Sequence, residues 1–167
     1  MASYVVRHAD VPIIASTGVD RGTLLMKKAI GLARTDPDNV PADWPYQLET
    51  VSVTWVKLWG RLRRIKCSGV DRVMYIIKGS CVVQVADADP EYAEAGDYVM
   101  IPKGSEYEFT TSVMEYLVIN SPPYIRATDL RNDALDGPVS RQGRDEWTGT
   151  AVVPSWRRTE EGEREEV

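Results

Sequence analysis

A chain of 167 residues is long enough for one domain with a proper core and too short for two comfortable ones. Hydrophobic residues make up 43% and charged residues 27%, and no apolar run approaches the ~20 residues that span a bilayer, so a membrane protein is excluded. The net charge of −5 argues against a general nucleic-acid binder, because phosphate affinity comes from a surplus of Lys and Arg.

The first ten residues lack the basic start and apolar stretch of a secretory signal, which makes the cytoplasm the expected location. Residues 22–33 fit neither period cleanly and read as one short helix or an outer strand, with the strand preferred. The Pro-rich stretch 36–45 that follows is read as a loop at the rim of a barrel or a lid over its mouth. From Leu48 to Asn120, short apolar runs and alternations are broken by Gly, Pro and Asp. Strands are predicted over 49–58, 62–67, 73–77, 81–86, 98–101, 107–110 and 114–119, with turns at 78–80, 87–90, 94–97 and 102–105. Seven short strands so joined predict a sandwich or barrel. After Pro122 and Pro123 the pattern stops. A short helix is expected over 127–135, and the charged end, 157–167, is expected to be disordered. The organisation is thus an N-terminal arm (1–47), a barrel core (48–125) and a C-terminal extension (126–167). Cys67 and Cys81 have neither zinc-type nor disulfide-framework spacing and read as small buried thiols.

Two stretches carry a resemblance. Gly60 is followed after five residues by Lys66, Cys67 and Ser68, after three more by Arg72 and after six more by Gly79. Gly96 leads after five residues to Pro102, Lys103 and Gly104, then to Tyr107 and Thr111. This spacing resembles the two motifs of the cupin superfamily and covers about half of the chain. The resemblance implies an all-β fold, the cupin-type double-stranded β-helix or jelly-roll barrel, in a single domain with a short helical or irregular C-terminal extension. The family's pattern places three His and one Glu around a metal ion, whereas Lys66, Ser68, Arg72 and Tyr107 stand at those positions here. Lys and Arg only donate hydrogen bonds and repel a divalent cation, and the one histidine, His8, lies outside both motifs. Neither a metal nor another cofactor is expected.

If Lys66 and Ser68 point inward like their family counterparts, strand alternation also turns Arg64 and Leu62 inward, and places Cys67 on the opposite face. The next strand contributes Arg72, Met74 and Ile76, and the second motif's strand Tyr107 and Phe109. Trp55 and Trp59 either line the cavity or fill the core, and Trp55 is carried with the binding set. The result is an apolar barrel with a cationic and phenolic centre, suited to a small anion. Alternatively, Glu108 or Glu115 neutralises Lys66 and Arg72 internally.

The expected activity is a metal-independent isomerase, cyclase, dehydratase or epimerase acting on a small anionic metabolite. Lys66 and Tyr107 are its candidate catalytic residues, and Arg64, Ser68, Arg72, Met74, Phe109 and Trp55 its candidate binding residues. The alternative is a non-catalytic binding or sensing module. A homodimer formed through edge strands is the expected assembly.

Overall fold

A computed structural model describes residues 4–16, 19–131, 156–158 and 164–166. Eight strands form one sheet: β1 (Ile14–Ser16), β2 (Val19–Ile30), β3 (Ser52–Cys67), β4 (Asp71–Val85), β5 (Glu91–Glu94), β6 (Tyr98–Ile101), β7 (Glu106–Ser121) and β8 (Asp129–Arg131). Their order is β1-β2-β3-β7-β4-β5, with β6 beside β4 and β8 beside β3, and these strand pairings are all antiparallel. The sheet wraps one apolar core that includes Leu58, Ile76, Ile101, Phe109, Met114 and Tyr116.

Period-2 patterning explains the curl. Along β3, Ser52, Thr54, Val56, Leu58, Gly60 and Leu62 are buried, and the residues between them are half-buried. Pairs of predicted strands prove to be single long ones. The stretch 78–80, read as a turn, is an irregularity inside β4, where the register shifts between Gly79 and Val82. Gly79 there adopts φ +82°, and a Cβ on it would lie 2.2 Å from the Val113 carbonyl oxygen. Strand β5 falls in a stretch for which no strand is predicted.

A second irregularity changes which side chains reach the interior. Between Leu62 and Ile65, β3 spends three steps where β7 spends two, from Phe109 to Tyr107. Arg63 and Arg64 are both left half-buried, while Ile65 and Cys67 are buried. The expectation that Arg64, Lys66 and Ser68 point inward is therefore corrected. The extra residue puts an isoleucine into the core in place of a guanidinium, whose desolvation would cost far more. Outside the barrel the basic run meets acidic neighbours. Arg61 pairs with Glu108 at 2.7 Å, Arg63 with Asp20 at 3.0 Å and Arg64 with Glu106 at 3.8 Å, and Lys66 lies opposite Glu106.

The outer surface of β3, β7, β4 and β6 carries two registered apolar rows. One is Val53, Ile119, Val73 and Met100, and the other is Trp55, Leu117, Tyr75 and Tyr98. Trp55 thus stands on the outer surface, not in the cavity, with the His8 ring edge-on at 4.9 Å. The neighbouring Lys27 donates to the His8 carbonyl at 2.8 Å, fastening the N-terminal arm over this corner.

The C-terminal extension departs from expectation. Residues 126–128 form a single 3-10 turn, and 129–131 are β8, paired with the end of β3, where a helix is predicted. The remainder of that helix, 132–135, lies outside the described residues. At the stretch 157–167, expected to be disordered, Trp156–Arg158 (β9), which begins one residue before it, pairs antiparallel with Arg164–Glu166 (β10), and the other residues of 157–167 lie outside the described set.

Both cysteines are buried thiols outside any disulfide. Burial first, and then the charge of Asp97, push the Cys81 thiol up to about 12. The native protein should accordingly resist iodoacetamide at pH 8 and label only on unfolding; rapid labelling of Cys81 in the native state would contradict its burial. Because the folded value is raised, the stability contributed by Cys81 is complete below the ordinary thiol value of 9.0 and is lost as pH rises toward 12.

Gly79 and Gly104 offer a graded test of the positive-φ positions. Both have positive φ, but a Cβ on Gly104 meets nothing within 4 Å. Gly104→Ala should cost about 1 kcal/mol from backbone strain alone. Gly79→Ala, strained and clashing with backbone, should cost roughly 3 kcal/mol, a Tm loss of roughly 6–12 °C. Equal melting temperatures for the two variants would show that the close approach at Gly79 is not a constraint.

Candidate functional site

The barrel opens on a cavity of about 490 Å³, within the usual range for small-molecule sites. Its apolar wall comes from inward positions of four strands, including Leu24 and Met26 of β2, Val56 and Ile65 of β3, Met74 of β4 and Val118 of β7. Its polar residues include Lys28 of β2, Thr54 of β3, Arg72 of β4, Tyr107, Tyr116 and Asn120 of β7, and side chains from the segments that cross the mouth.

Arg72 is the central charge. Alternation on β4 turns Arg72, Met74 and Ile76 inward, and Arg72 is only 4% exposed. Its Nε donates to Asn120 Oδ1 at 2.7 Å and its Nη1 donates to the Tyr107 hydroxyl oxygen. Asn120 in turn donates to Ser52 Oγ at 3.3 Å, and Ser52 Oγ accepts the Tyr124 backbone N–H at 2.8 Å. The guanidinium also lies 5.5 Å from the Tyr107 ring centroid and 5.8 Å from that of Tyr124, within cation–π range. Two neutral side chains thus fix the plane of a buried cation in the cavity wall.

A second cation comes from β2. Lys28 Nζ lies 2.9 Å from Asp36 Oδ2 and 4.0 Å above the Tyr124 ring. Asp36, which is 2% exposed, also accepts from Asn39 Nδ2 at 2.8 Å. Arg126 at the rim pairs with Asp38. The Pro-rich loop is therefore fastened to the barrel mouth by two ion pairs, and Asn39 stands in the cavity wall.

Two hydroxyls complete the site. Tyr116 is buried in the wall. Burial pushes its phenol above the ordinary tyrosine range, Tyr107 adds to the shift, Arg72 opposes it and Cys81 raises it slightly further. Tyr116 is therefore a neutral hydrogen-bonding phenol at physiological pH. Thr54 Oγ1 is buried with no hydrogen-bond partner among the described residues, although its side chain lines the cavity. A buried hydroxyl without a partner costs about 1–3 kcal/mol, and a bound ligand can recover it.

Of the residues singled out from sequence, the cavity gathers Arg72, Met74 and Tyr107. Phe109 is buried beneath it, 5.5 Å from the Tyr107 ring and 6.1 Å from the Tyr116 ring. Arg64, Lys66 and Trp55 lie on the outer surface, and Ser68 Oγ donates to the Thr128 carbonyl. Glu108 and Glu115 do not neutralise the interior, since they pair outside with Arg61 and Lys57, the latter at 3.5 Å. Sequence reasoning missed Lys28, Thr54, Asn120 and Tyr124. Lys28 and Thr54 sit opposite each other on β2 and β3, and alternation extended through residues 22–33 would have been the signal for the pair.

The residues present do not fit the metal centre of the family's pattern. Among the described residues no three of His, Cys, Asp or Glu come together as a ligand set. Two of the four ligand positions, those of Lys66 and Ser68, are turned away from the cavity, and a third is the guanidinium of Arg72, which cannot donate an electron pair to a metal.

No family model matches the sequence, and no curated protein matches it. Solved structures do match. Streptomyces Pac13 with uridine shares 11% identity at a TM-score of 0.60, over 78% of this chain and 91% of that one; Pac13 is described as a nucleoside dehydratase. A predicted oxalate decarboxylase of Thermotoga maritima shares 15% identity at 0.55, over 71% and 98%. The polyketide cyclase RemF of Streptomyces resistomycificus shares 19% at 0.53, over 71% and 79%. At these identities the likeness shows the fold alone, a cupin-type jelly-roll barrel.

Proposed function

We propose that the protein is a metal-independent enzyme that moves a proton on a small anionic metabolite held inside the barrel, in an isomerisation, cyclisation, dehydration or epimerisation. The observation that carries this reading is the Arg72 guanidinium, buried in the cavity wall and held by Asn120 and Tyr107. A buried positive charge of fixed orientation favours a carboxylate or phosphate, and charge-assisted hydrogen bonds are the strong ones.

Tyr107 is the proton-transfer group in this reading. Its oxygen accepts from Arg72, so negative charge developing there is stabilised as the phenol gives up its proton, and the same bond orients the ring. Tyr116 and Thr54 offer hydroxyls to the neutral polar atoms of the ligand. Lys66, on the outer surface, has no part in this scheme, and Lys28 is the lysine that reaches the cavity. The names of two neighbours, a nucleoside dehydratase and a polyketide cyclase, fit the reaction classes proposed. The competing reading is a cupin that binds a metabolite without turning it over, and the buried, unpartnered Thr54 hydroxyl is equally at home in it.

A thermal-shift screen against carboxylates, phosphates and sugar phosphates tests the anchor. A ligand at 100 times its Kd adds roughly 2.7 kcal/mol, which for a chain of this length is roughly 5–11 °C in Tm. Arg72→Met should abolish the shift, and a shift that survives it would place the anion elsewhere. With a binding anion identified, Tyr107→Phe should keep the shift and lower kcat by roughly 10²–10⁴-fold. Undiminished turnover in Tyr107→Phe would remove this residue from the chemistry, and binding without any turnover in the unaltered protein would favour the sensing module.

A further inference from the structure

A second hollow, of about 300 Å³, lies between the N-terminal arm and the loop that follows β2. Ile14, Lys28 and Asn39 belong to the walls of both this hollow and the barrel cavity, so the two adjoin across those three side chains. Their characters differ. The barrel cavity sets Arg72, Tyr107, Tyr116 and Thr54 into its apolar wall, whereas the hollow is walled largely by Val11, Pro12, Pro37, Val40, Pro41 and Trp44. Its charged residues are already in ion pairs, Lys28 with Asp36 and Asp38 with Arg126.

The apolar wall is also stiff. Trp44 Nε1 donates to the Ala29 carbonyl at 3.3 Å, and the Trp44 ring meets Tyr46 edge-on at 5.5 Å. Three prolines fix the backbone around it, and the Lys28–Asp36 pair fastens the loop at its start. A preformed apolar surface of this kind gives up little entropy when an apolar group covers it. A ligand confined to the barrel cavity would leave that surface wet.

We infer that the substrate is amphipathic. Its anionic head reaches Arg72 and Tyr107, and an aromatic or alkyl extension passes between Lys28 and Asn39 into the hollow beside Trp44. This inference rests on the reading of the barrel as an anion site, and it adds what the far end of the molecule must be. Burying the extension should raise affinity by roughly fourfold for each methylene taken out of water.

The test is calorimetric titration of the full chain with phenylacetate, 4-phenylbutanoate and 6-phenylhexanoate, which share one head and differ in reach. Kd is expected to fall at least tenfold from the shortest to the longest. In Trp44→Ala that gain should shrink below threefold, with phenylacetate binding retained. Ile13→Ser should weaken the gain in the same direction. Ile13 lines the hollow and is 61% exposed, so this variant removes apolar wall without touching the core and remains informative if Trp44→Ala disturbs the loop. Equal affinity across the series, or a gain unchanged in both variants, would overturn the extension while leaving the anion site standing. Failure of all three acids to bind, or binding unaffected by Arg72→Met, would overturn the anion site and this inference with it.

Discussion

Burying a guanidinium costs several kcal/mol unless its hydrogen bonds are met in place, and this barrel is arranged around that requirement. Arg72 is met by Asn120 and Tyr107 on the adjacent strand, and Asn120 is held through Ser52 to the backbone of Tyr124. Each of these partners depends on the register between β3, β7 and β4. A slip of one residue would turn Tyr107 and Asn120 outward together and strand the charge. The polar cluster therefore specifies the strand pairing as much as the apolar core does, and the pairing in turn sets the shape of the cavity.

The bulge in β3 serves the same economy. Without it, Arg64 and Lys66 would join Arg72 inside, and three cations within one small barrel would repel one another at low dielectric. With it, Ile65 fills the wall and both cations move to the outer surface, where Glu106 faces them. The interior keeps Arg72 as a cation hydrogen-bonded to Asn120 and Tyr107, and Lys28, the other cation brought to the cavity by the strands, is paired with Asp36. The loop after β2 is thus an electrostatic part of the barrel mouth as well as its rim.

Which features were legible follows from their range along the chain. The four motif glycines all take positive φ, and turn chemistry of that kind is local. The inward sets on β4 and at the start of β7 were also readable, because alternation is unbroken from Arg72 to Ile76 and from Tyr107 to Phe109. Alternation carried across residues 62–66 failed, because a bulge adds one residue without any Gly or Pro to announce it. Strand β8 lies where Thr128 or Asp129 near a cap position predicts a helix over 127–135, and β-pairing to the end of β3 outweighs that local signal. Lys28, Asn39 and Tyr124 come to the site from segments far apart in sequence, and no local pattern links them.

The exchange at the ligand positions has a simple electrostatic logic. In the family's pattern a metal ion supplies positive charge at the barrel centre, and neutral histidines with one carboxylate hold it. Here Arg72 occupies the carboxylate's place in that pattern and is itself the charge, so the centre stays positive while the electron-pair donors become unnecessary. What a guanidinium cannot do is donate electron pairs to an ion or give up a proton near neutral pH. The proposed reaction therefore assigns acid–base work to its neighbour Tyr107, an ionisable group at the position of a metal-ligating histidine and hydrogen-bonded to Arg72. A fold that elsewhere holds a cation with donors here carries a buried cation of its own, hydrogen-bonded to a phenol, and the proposed anion site and proton transfer both rest on that exchange.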